Sequence, residues 1–360
     1  MIVAIDSVEA VQDAVRSGSR VLPAGGGSKP ALSTPAHDDV IVLDVSGLRG
    51  ILEYDPSELT FTAMAGTPVA EVTAALAEHG QYLPFDPPLG AAGATLGGVV
   101  AGGTSGANAF RHGGVRDFVI GVRLVEGTGR VVAGGGKVVK NAAGFDLPKL
   151  MVGSIGRLGV MVQLSFKVFP RPPATTTLIF ELGTPAAALA AMAQVARGPV
   201  EADALDLEAG GRLLVRLGGD AELLDARAAR CGAIVGTEPE RLDGDRDAAA
   251  WRDAAELAWV APDARLVRVA LTARAVGALD AALAASGATV RYSLAANVAW
   301  IAWPESLELE PLDTELRRLG LAGVVLTGAP GRPLLGAVRG GAFAARVRSA
   351  LDPNARFPED

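Results

Sequence analysis

The amino-acid sequence predicts an α+β protein with two domains. Three glycine-rich turns fall within its first half, at Ala24–Ser28, Leu89–Gly106 and Gly153–Gly159. Beyond the segment Pro170–Pro173, short strand-like stretches alternate with alanine-rich helical stretches. We therefore expect a first domain over residues 1–172, a smaller α+β domain over 173–335, and a carboxy-terminal helix and tail over 336–360 that return to the first domain.

The composition excludes several classes of function and of binding site. The chain has 360 residues, 49% of them hydrophobic, so it can bury a sizeable core. Its net charge of −7 argues against non-specific nucleic-acid binding, which needs a basic surface. The single cysteine, Cys231, excludes internal disulfides, a cysteine-based zinc site and an iron–sulfur cluster held by this chain alone. The sequence shows neither a secretory signal nor an apolar run long enough to span a bilayer, so we expect a cytoplasmic protein that reaches the inner membrane, if at all, through partners.

The first eighty residues read as alternating helices and strands. Asp6 and Glu9 have capping-box spacing ahead of a helix that ends near Gly18. A short strand at Arg20–Pro23 then leads directly into the first glycine-rich turn. Two further strands are predicted at Val40–Val45 and Leu59–Met64. A helix should have Thr67 as its N-cap and Pro68 as its first residue, and should end at Gly80.

The segment Pro87–Gly113 is the most unusual part of the chain. Glycine lacks the Cβ atom that keeps a ligand away from the backbone, and successive N–H groups in such a turn can face one anion. Phosphates and flat heterocycles are therefore the expected ligands. The alternative is a flexible linker, which is disfavoured because Leu96, Val99 and Val100 interrupt the glycines as in a packed segment.

Several common motifs are absent. No G-x-G-x-x-G follows a strand, and Gly135-Gly136-Lys137 precedes Val rather than Ser or Thr, which excludes Rossmann and P-loop sites. The three histidines lie far apart in sequence and form no i, i+4 pair. What remains is a protein that holds a cofactor mainly through its backbone; three separated turns suit a long molecule, but composition does not specify FAD.

Three motifs resemble the PCMH-type, or vanillyl-alcohol-oxidase-like, family of FAD-binding flavoproteins. They are Ala24–Ser28, then Gly97-Gly98 followed by Arg111-His112-Gly113, and the K-x-x-x-G-F-D-L…G-S-x-G-x-L-G pattern from Lys140 to Gly159. Leu351-Asp352-Pro353 resembles the closing turn of that family. Within it, the chain is most similar to the glycolate oxidase branch. The resemblance implies an FAD-binding domain of two α+β subdomains, followed by an α+β cap domain.

The resemblance also implies which residues hold FAD. The first loop and the segment from Leu89 to Gly98 would hold the pyrophosphate, the Gly102–Gly106 stretch would lie near the flavin ring, and Gly159-Val160 would lie on the adenine side. No His or Cys occurs in the first loop, so we expect non-covalent FAD. The full predicted set is Ala24, Gly25, Gly26, Gly27, Ser28, Lys29, Pro88, Leu89, Gly93, Ala94, Thr95, Gly97, Gly98, Gly102, Gly103, Thr104, Ser105, Gly106, Gly159 and Val160.

Catalytic residues are harder to assign. Related 2-hydroxyacid dehydrogenases use a histidine-rich motif in the second domain, but this chain has no His from Pro173 onwards, and oxidation of a hydroxyl needs a nearby base. Arg111, His112 and Lys140 are weak candidates, with His112 more simply read as a packed loop residue.

The resemblance implies an FAD-binding subunit of a glycolate oxidase complex, which works with a second FAD-containing catalytic subunit and an iron–sulfur subunit on a small 2-hydroxyacid. The alternatives are a stand-alone FAD oxidoreductase acting on another alcohol or hydroxyacid, and a non-catalytic assembly subunit.

Overall fold

The computed structural model describes residues 1–136, 146–328, 331, 333–337 and 340–359. Lys140 and the Gly144-Phe145 part of the third motif lie outside the described residues. The strands are β1 (Ile2–Ala4), β2 (Arg20–Ala24), β3 (Val40–Asp44), β4 (Ile51–Asp55), β5 (Thr60–Met64), β6 (Gln81–Tyr82), β7 (Val119–Val125), β8 (Val131–Gly135), β9 (Val160–Lys167), β10 (Phe169–Pro170), β11 (Ala174–Glu181), β12 (Ala204–Glu208), β13 (Arg212–Gly219), β14 (Glu240–Asp243), β15 (Ala264–Ala270), β16 (Thr289–Ser293), β17 (Val298–Pro304), β18 (Ala322–Val325) and β19 (Leu334–Gly336).

The α-helices are interspersed among these strands. They are α1 (Val8–Arg16), α2 (Val69–Ala77), α3 (Leu96–Gly102), α4 (Ala109–His112), α5 (Val115–Phe118), α6 (Leu147–Met151), α7 (Pro185–Arg197), α8 (Ala221–Val235), α9 (Gly244–Ala255), α10 (Val276–Leu283), α11 (Glu310–Arg318) and α12 (Gly341–Leu351). Short 3₁₀ turns occupy Pro30–Leu32, Ala209–Gly211 and Ala273–Ala275. The mixture of helices and strands confirms the predicted α+β class.

Among the described residues, two larger sheets and a two-stranded sheet of β6 and β10 build the amino-terminal part. Strands β1, β3 and β2 form a parallel three-stranded sheet, and β4, β5, β9, β7 and β8 form an antiparallel five-stranded sheet in that order. Strands β7 and β8 form a hairpin, in which Val125 pairs with Val131. Helix α3 packs against β9, which places the glycine-rich segment beside this sheet.

The rest of the chain forms one large sheet. Its nine strands run in the order β14-β11-β13-β12-β16-β17-β15-β18-β19. Leu266 and Trp300 of this sheet belong to the same buried cluster as Phe85, Phe118 and Phe166 of the amino-terminal part. The two parts therefore share apolar core, and burying these side chains favours their association.

The carboxy-terminal tail packs onto the amino-terminal part. The Val21 amide donates to the Arg356 carbonyl at 2.7 Å, and the Gly127 amide donates to the Leu351 carbonyl at 2.7 Å. Phe357 is buried beside α1 and β3. The tail thus fixes the strand that leads into the first glycine-rich turn.

Two predicted helix boundaries are wrong. Ser7, not Asp6, caps α1, because its hydroxyl accepts from the Ala10 amide at 3.3 Å. Helix α2 ends at Ala77 rather than Gly80, and Pro68 is its N-cap rather than its first helical residue. Ser7 caps α1 because its hydroxyl reaches an amide of the first turn, whereas Pro68 precedes α2 without a side-chain capping bond.

Candidate functional site

The first glycine-rich turn opens into a groove between the two larger amino-terminal sheets. Its space, open mouth included, is about 650 Å³. Strand β2 supplies one side, α3 another and the 155–159 turn a third. The lining residues are Pro23, Ala24, Gly25, Gly26, Ser28, Lys29, Leu32, Ser33, Val45, Ala65, Thr95, Gly97, Gly98, Ala101, Ile155, Gly156, Gly159 and Met161.

The first two glycine-rich turns meet in this groove. A Cβ atom on Gly26 would overlap the Gly93 carbonyl oxygen, and one on Gly25 would overlap the Thr95 hydroxyl. A Cβ on Gly97 would lie 3.0 Å from the Ala65 carbonyl oxygen. Only glycine allows these backbones to approach so closely, so the groove has a wall of bare main chain that suits a ligand held by backbone groups.

The third turn closes the same groove. The Ile155 amide donates to the Ala101 carbonyl at 2.9 Å, which ties the turn to α3. Gly156 adopts φ +74° and lies against Pro23, where a Cβ would approach to 2.9 Å. All three turns identified in the sequence therefore contribute residues to one groove.

Thr95 begins α3 and shapes the groove locally. Its hydroxyl accepts from the Gly98 amide at 3.2 Å, as an N-cap should. The helix ends at Gly103, whose φ of +58° is the left-handed conformation that glycine adopts without strain. Because both ends are fixed locally, the glycines of α3 keep a defined position beside β9.

Lys29 lines the groove, and its surroundings shift its pKa. Its side chain is only 6% exposed, and its ammonium donates to the Ser28 hydroxyl at 3.1 Å. Burial lowers the pKa of Lys29 to about 8, against a smaller opposing influence of the Glu256 charge. A buried ammonium without a close carboxylate is suited to an anionic ligand.

The part of the second glycine-rich turn at residues 89–92 is hydrogen-bonded to residues at the end of α9. Glu256, directly after α9, accepts hydrogen bonds from the Ala91 amide at 2.9 Å and the Ala92 amide at 3.2 Å. The Leu89 amide donates to the Ala255 carbonyl at 3.0 Å. The second glycine-rich turn thus depends on contacts that no local pattern in the sequence indicates.

The structure places about half of the predicted FAD-binding residues on the groove. Those that line it are Ala24, Gly25, Gly26, Ser28, Lys29, Thr95, Gly97, Gly98 and Gly159. Those that do not are Gly27, Pro88, Leu89, Gly93, Ala94, Gly102, Gly103, Thr104, Ser105, Gly106 and Val160. Several of the latter support the backbone: Ser105, for example, accepts from the Val115 amide at 2.9 Å.

The remaining groove residues were missed by the sequence analysis. They are Pro23, Leu32, Ser33, Val45, Ala65, Ala101, Ile155, Gly156 and Met161. Gly156 belonged to a predicted turn and could have been included. The others are mostly small or apolar side chains from different elements, and no spacing in the sequence distinguishes them from core.

Two of the three catalytic candidates, Arg111 and His112, lie outside the groove. The His112 ring lies 3.3 Å from the Tyr82 hydroxyl and packs edge-on against Phe169, while burial and the nearby Arg111 lower the pKa of His112. Arg111 itself pairs with Asp203 at 3.3 Å. These contacts are those of packed residues, and Lys140 lies outside the described residues.

The described residues contain neither a metal-binding cluster nor a membrane-spanning helix. No group of three or more His, Cys, Asp and Glu side chains there is arranged to hold a metal ion. Among the helices of the same residues, none is long and apolar enough to cross a membrane.

A second, smaller cavity lies where the Asp86–Pro88 loop faces the large sheet. Its space is about 320 Å³, open mouth included. Two predicted residues, Pro88 and Gly106, line it. The other lining residues come largely from α9, β16 and β17: Asp86, Ala107, Asp206, Trp251, Ala254, Ala255, Leu257, Arg291, Ser293 and Trp300.

Comparisons with known proteins identify the amino-terminal part. Residues 1–135 match the family model described as an FAD binding domain. Over 175 residues, 49% of this chain and 49% of its relative, the sequence is 45% identical to glycolate oxidase subunit GlcE of Escherichia coli. It is 32% identical over 159 residues to glycolate oxidase subunit GlcD of Bacillus subtilis, covering 44% of this chain and 34% of that protein. The chain thus spans about half or less of the curated relatives it matches.

A solved structure resembles the whole fold. An alkyldihydroxyacetonephosphate synthase superposes with a TM-score of 0.73 at 18% identity, covering 100% of this chain and 77% of that one. At this identity the likeness concerns the fold alone.

Proposed function

Since residues 1–135 belong to the FAD binding domain family, we propose that the chain binds FAD non-covalently in the groove formed by its three glycine-rich turns. The PCMH-type resemblance seen in the sequence is confirmed by that match. The main support for this location is that all three glycine-rich turns contribute backbone to the same groove. None of the described residues that line that groove is Cys or His, which supports non-covalent binding.

The residues of the groove suggest how they would hold the cofactor. Gly25, Gly26 and Gly97 leave the backbone open to close approach, and Lys29 offers a positive charge to the pyrophosphate. The apolar side chains of Leu32, Ala101 and Met161 supply walls for flat rings. Bound FAD would supply the two-electron acceptor chemistry, and the protein would contribute placement and charge.

We further propose that the chain is an FAD-binding subunit of a glycolate oxidase or related 2-hydroxyacid dehydrogenase complex. The similarity to GlcE and GlcD, both named as subunits of glycolate oxidase, supports this assignment. The absence of His after Pro173 supports a second flavoprotein subunit as the site of substrate oxidation. An iron–sulfur subunit would then carry electrons onward.

The first experiment is expression of the chain alone with FAD supplied. We expect a yellow protein that releases about one equivalent of free flavin on heating, measured by fluorescence. A colourless, folded protein would refute FAD binding and favour the assembly-subunit alternative.

The second experiment separates the two enzymatic alternatives. Dye reduction by glycolate is measured with the chain alone, with its co-purified partners alone, and with both. We expect activity only with both. Turnover of an alcohol or hydroxyacid by the isolated chain would instead favour a stand-alone oxidoreductase.

A further inference from the structure

The tip of the second glycine-rich turn is held by one carboxylate from a distant part of the chain. Glu256 follows α9 directly, and its Oε1 atom accepts from the Ala91 amide at 2.9 Å while its Oε2 atom accepts from the Ala92 amide at 3.2 Å. Hydrogen bonds from an amide to a carboxylate are roughly twice as strong as those between neutral groups. The Leu89 amide adds a bond to the Ala255 carbonyl at 3.0 Å. The end of α9 therefore binds three amides of this turn.

The base of the same turn supports the wall of the FAD groove. The Ala94 amide donates to the Leu89 carbonyl at 3.0 Å and closes the turn, and the next residue, Thr95, lines the groove. Gly93 lies against Gly26, another groove residue: a Cβ on Gly93 would lie 3.2 Å from the Gly26 carbonyl oxygen, and a Cβ on Gly26 would overlap the Gly93 carbonyl oxygen. A displacement of the turn would therefore move the groove wall.

Helix α9 is anchored to the large sheet at its other end. Asp247, which is 0% exposed, accepts from the hydroxyls of Thr175 and Thr177 at 2.7 Å and 2.6 Å. It also pairs with Arg216 at 2.8 Å. Leu257, just beyond the helix, is buried in the apolar cluster that the large sheet shares with the amino-terminal part. The 12-residue helix, about 18 Å long, is thus a fixed connection between the large sheet and the turn.

We propose that Glu256 is a positioning residue of the FAD site, which holds the turn at residues 89–94 so that the groove wall already has its binding conformation. The inference rests on the proposed function, and it deepens that function by making FAD affinity depend on a contact from the large sheet's side. Without this contact the turn would adopt the binding conformation only part of the time, and the apparent affinity falls by that fraction.

The charge of Glu256 by itself predicts the opposite effect. That charge acts on Lys29, the residue proposed to bind the pyrophosphate, so it also acts on an anion bound there. Removing a negative charge near an anionic ligand strengthens binding, whereas losing the bonds that position the turn weakens it. The sign of the change in FAD affinity therefore separates the two roles.

The test is titration of FAD onto the FAD-free full chain, followed by quenching of flavin fluorescence at about pH 6, where Lys29, with a pKa of about 8, keeps its proton. We expect Glu256→Ala to bind FAD at least about tenfold more weakly than the wild type. Glu256→Gln should lie between them, because its amide oxygen still accepts one of the two bonds. Equal or tighter binding by Glu256→Ala would overturn the inference. Asp253→Asn, at an exposed carboxylate in the last turn of α9, is the matched control and should stay within about twofold of the wild type.

The pH dependence of FAD affinity adds a readout that a general loss of stability would not move. Affinity should fall as the pH rises through the pKa of Lys29, and the Glu256 charge raises that pKa. The midpoint should therefore move to lower pH in Glu256→Gln. Glu256→Asp keeps the charge but withdraws the carboxylate by one methylene, so it should weaken FAD binding with a midpoint near that of the wild type. Wild-type affinity in Glu256→Asp, or an unmoved midpoint in Glu256→Gln, would overturn the inference.

The same samples keep this inference separate from the proposed function. A wild type that binds no FAD refutes the proposed function and this inference with it. A wild type that binds FAD, beside a Glu256→Ala protein of equal affinity, refutes the inference alone. Urea unfolding of each variant shows whether weaker binding reflects loss of folded protein. If Glu256→Ala does not fold, Glu256→Gln decides, and binding at about pH 6 as tight as that of the wild type would overturn the inference.

Discussion

Replacing Lys29 by methionine should make the protein more stable and bind FAD less well. The side chain is 6% exposed, and burial lowers the pKa of Lys29 from its usual 10.5 to about 8. One pKa unit corresponds to about 1.4 kcal/mol, so the folded state disfavours the charged form by about 3 kcal/mol. Methionine fills a similar space without that cost.

The stability that the protein gains from Lys29→Met should shrink as the pH rises. Below pH 8, Lys29 is protonated in both the folded and the unfolded state, so the whole penalty is present. Between pH 8 and 10.5 the unfolded state keeps a proton that the folded state has lost, so the free energy of unfolding of the wild type rises with pH. The stability gap should therefore be about 3 kcal/mol at pH 7 and close near pH 10.5.

FAD binding should respond in the opposite direction. If Lys29 pairs with the pyrophosphate, its removal loses a charge-assisted hydrogen bond of roughly 1.5–3 kcal/mol, or about a 10- to 150-fold loss of affinity. Urea unfolding of the FAD-free protein measures stability, and quenching of flavin fluorescence measures affinity. Lys149→Met is the control, because Lys149 is 43% exposed and pairs with Asp146 at the surface.

Three results would refute this reasoning. One is a Lys29→Met protein that is less stable than the wild type at pH 7. A second is a stability gap that does not shrink between pH 7 and pH 10.5. The third is unchanged affinity for FAD, which would place the pyrophosphate away from this side chain.

Other variants test the groove and its surroundings. Gly26→Ala places a Cβ against the Gly93 carbonyl, so it should abolish FAD retention and cost more than about 2 kcal/mol of stability. The Cβ of Gly27→Ala meets nothing within 4 Å, so this variant should cost only about 1 kcal/mol through its positive φ. Equal losses of stability in denaturant unfolding would contradict the packing. Thr95→Val removes the cap of α3 and should cost about 1 kcal/mol, with Thr95→Ser restoring it; an uncapped helix of wild-type stability would count against this role. Glu256→Gln weakens the acceptor for two amides of the second turn and should speed their hydrogen exchange, while unaltered exchange would show that other contacts hold the loop.

The sequence determined the local features of the groove. Gly25 and Gly26 were identified because glycine's steric freedom is a property of the residue itself and shows in any turn, and the turn that contains Gly156 was recognised for the same reason. The strand before the first turn was predictable for the same reason, since it depends on residues close in sequence. The resemblance to a known family, carried by those same motifs, then supplied FAD.

Only the tertiary structure decided which residues surround each site. Lys29 was predicted, but its burial, which lowers its pKa, depends on contacts with α3, which is distant in sequence. Leu32, Ala65 and Met161 look like any core residue until the sheets bring them to one groove. Asp206 and Arg291 form their buried pair only because β12 and β16, more than eighty positions apart in sequence, are joined in one sheet. Glycine patterns record local steric limits, whereas burial and unpaired bonding groups arise from contacts that the chain makes after it folds.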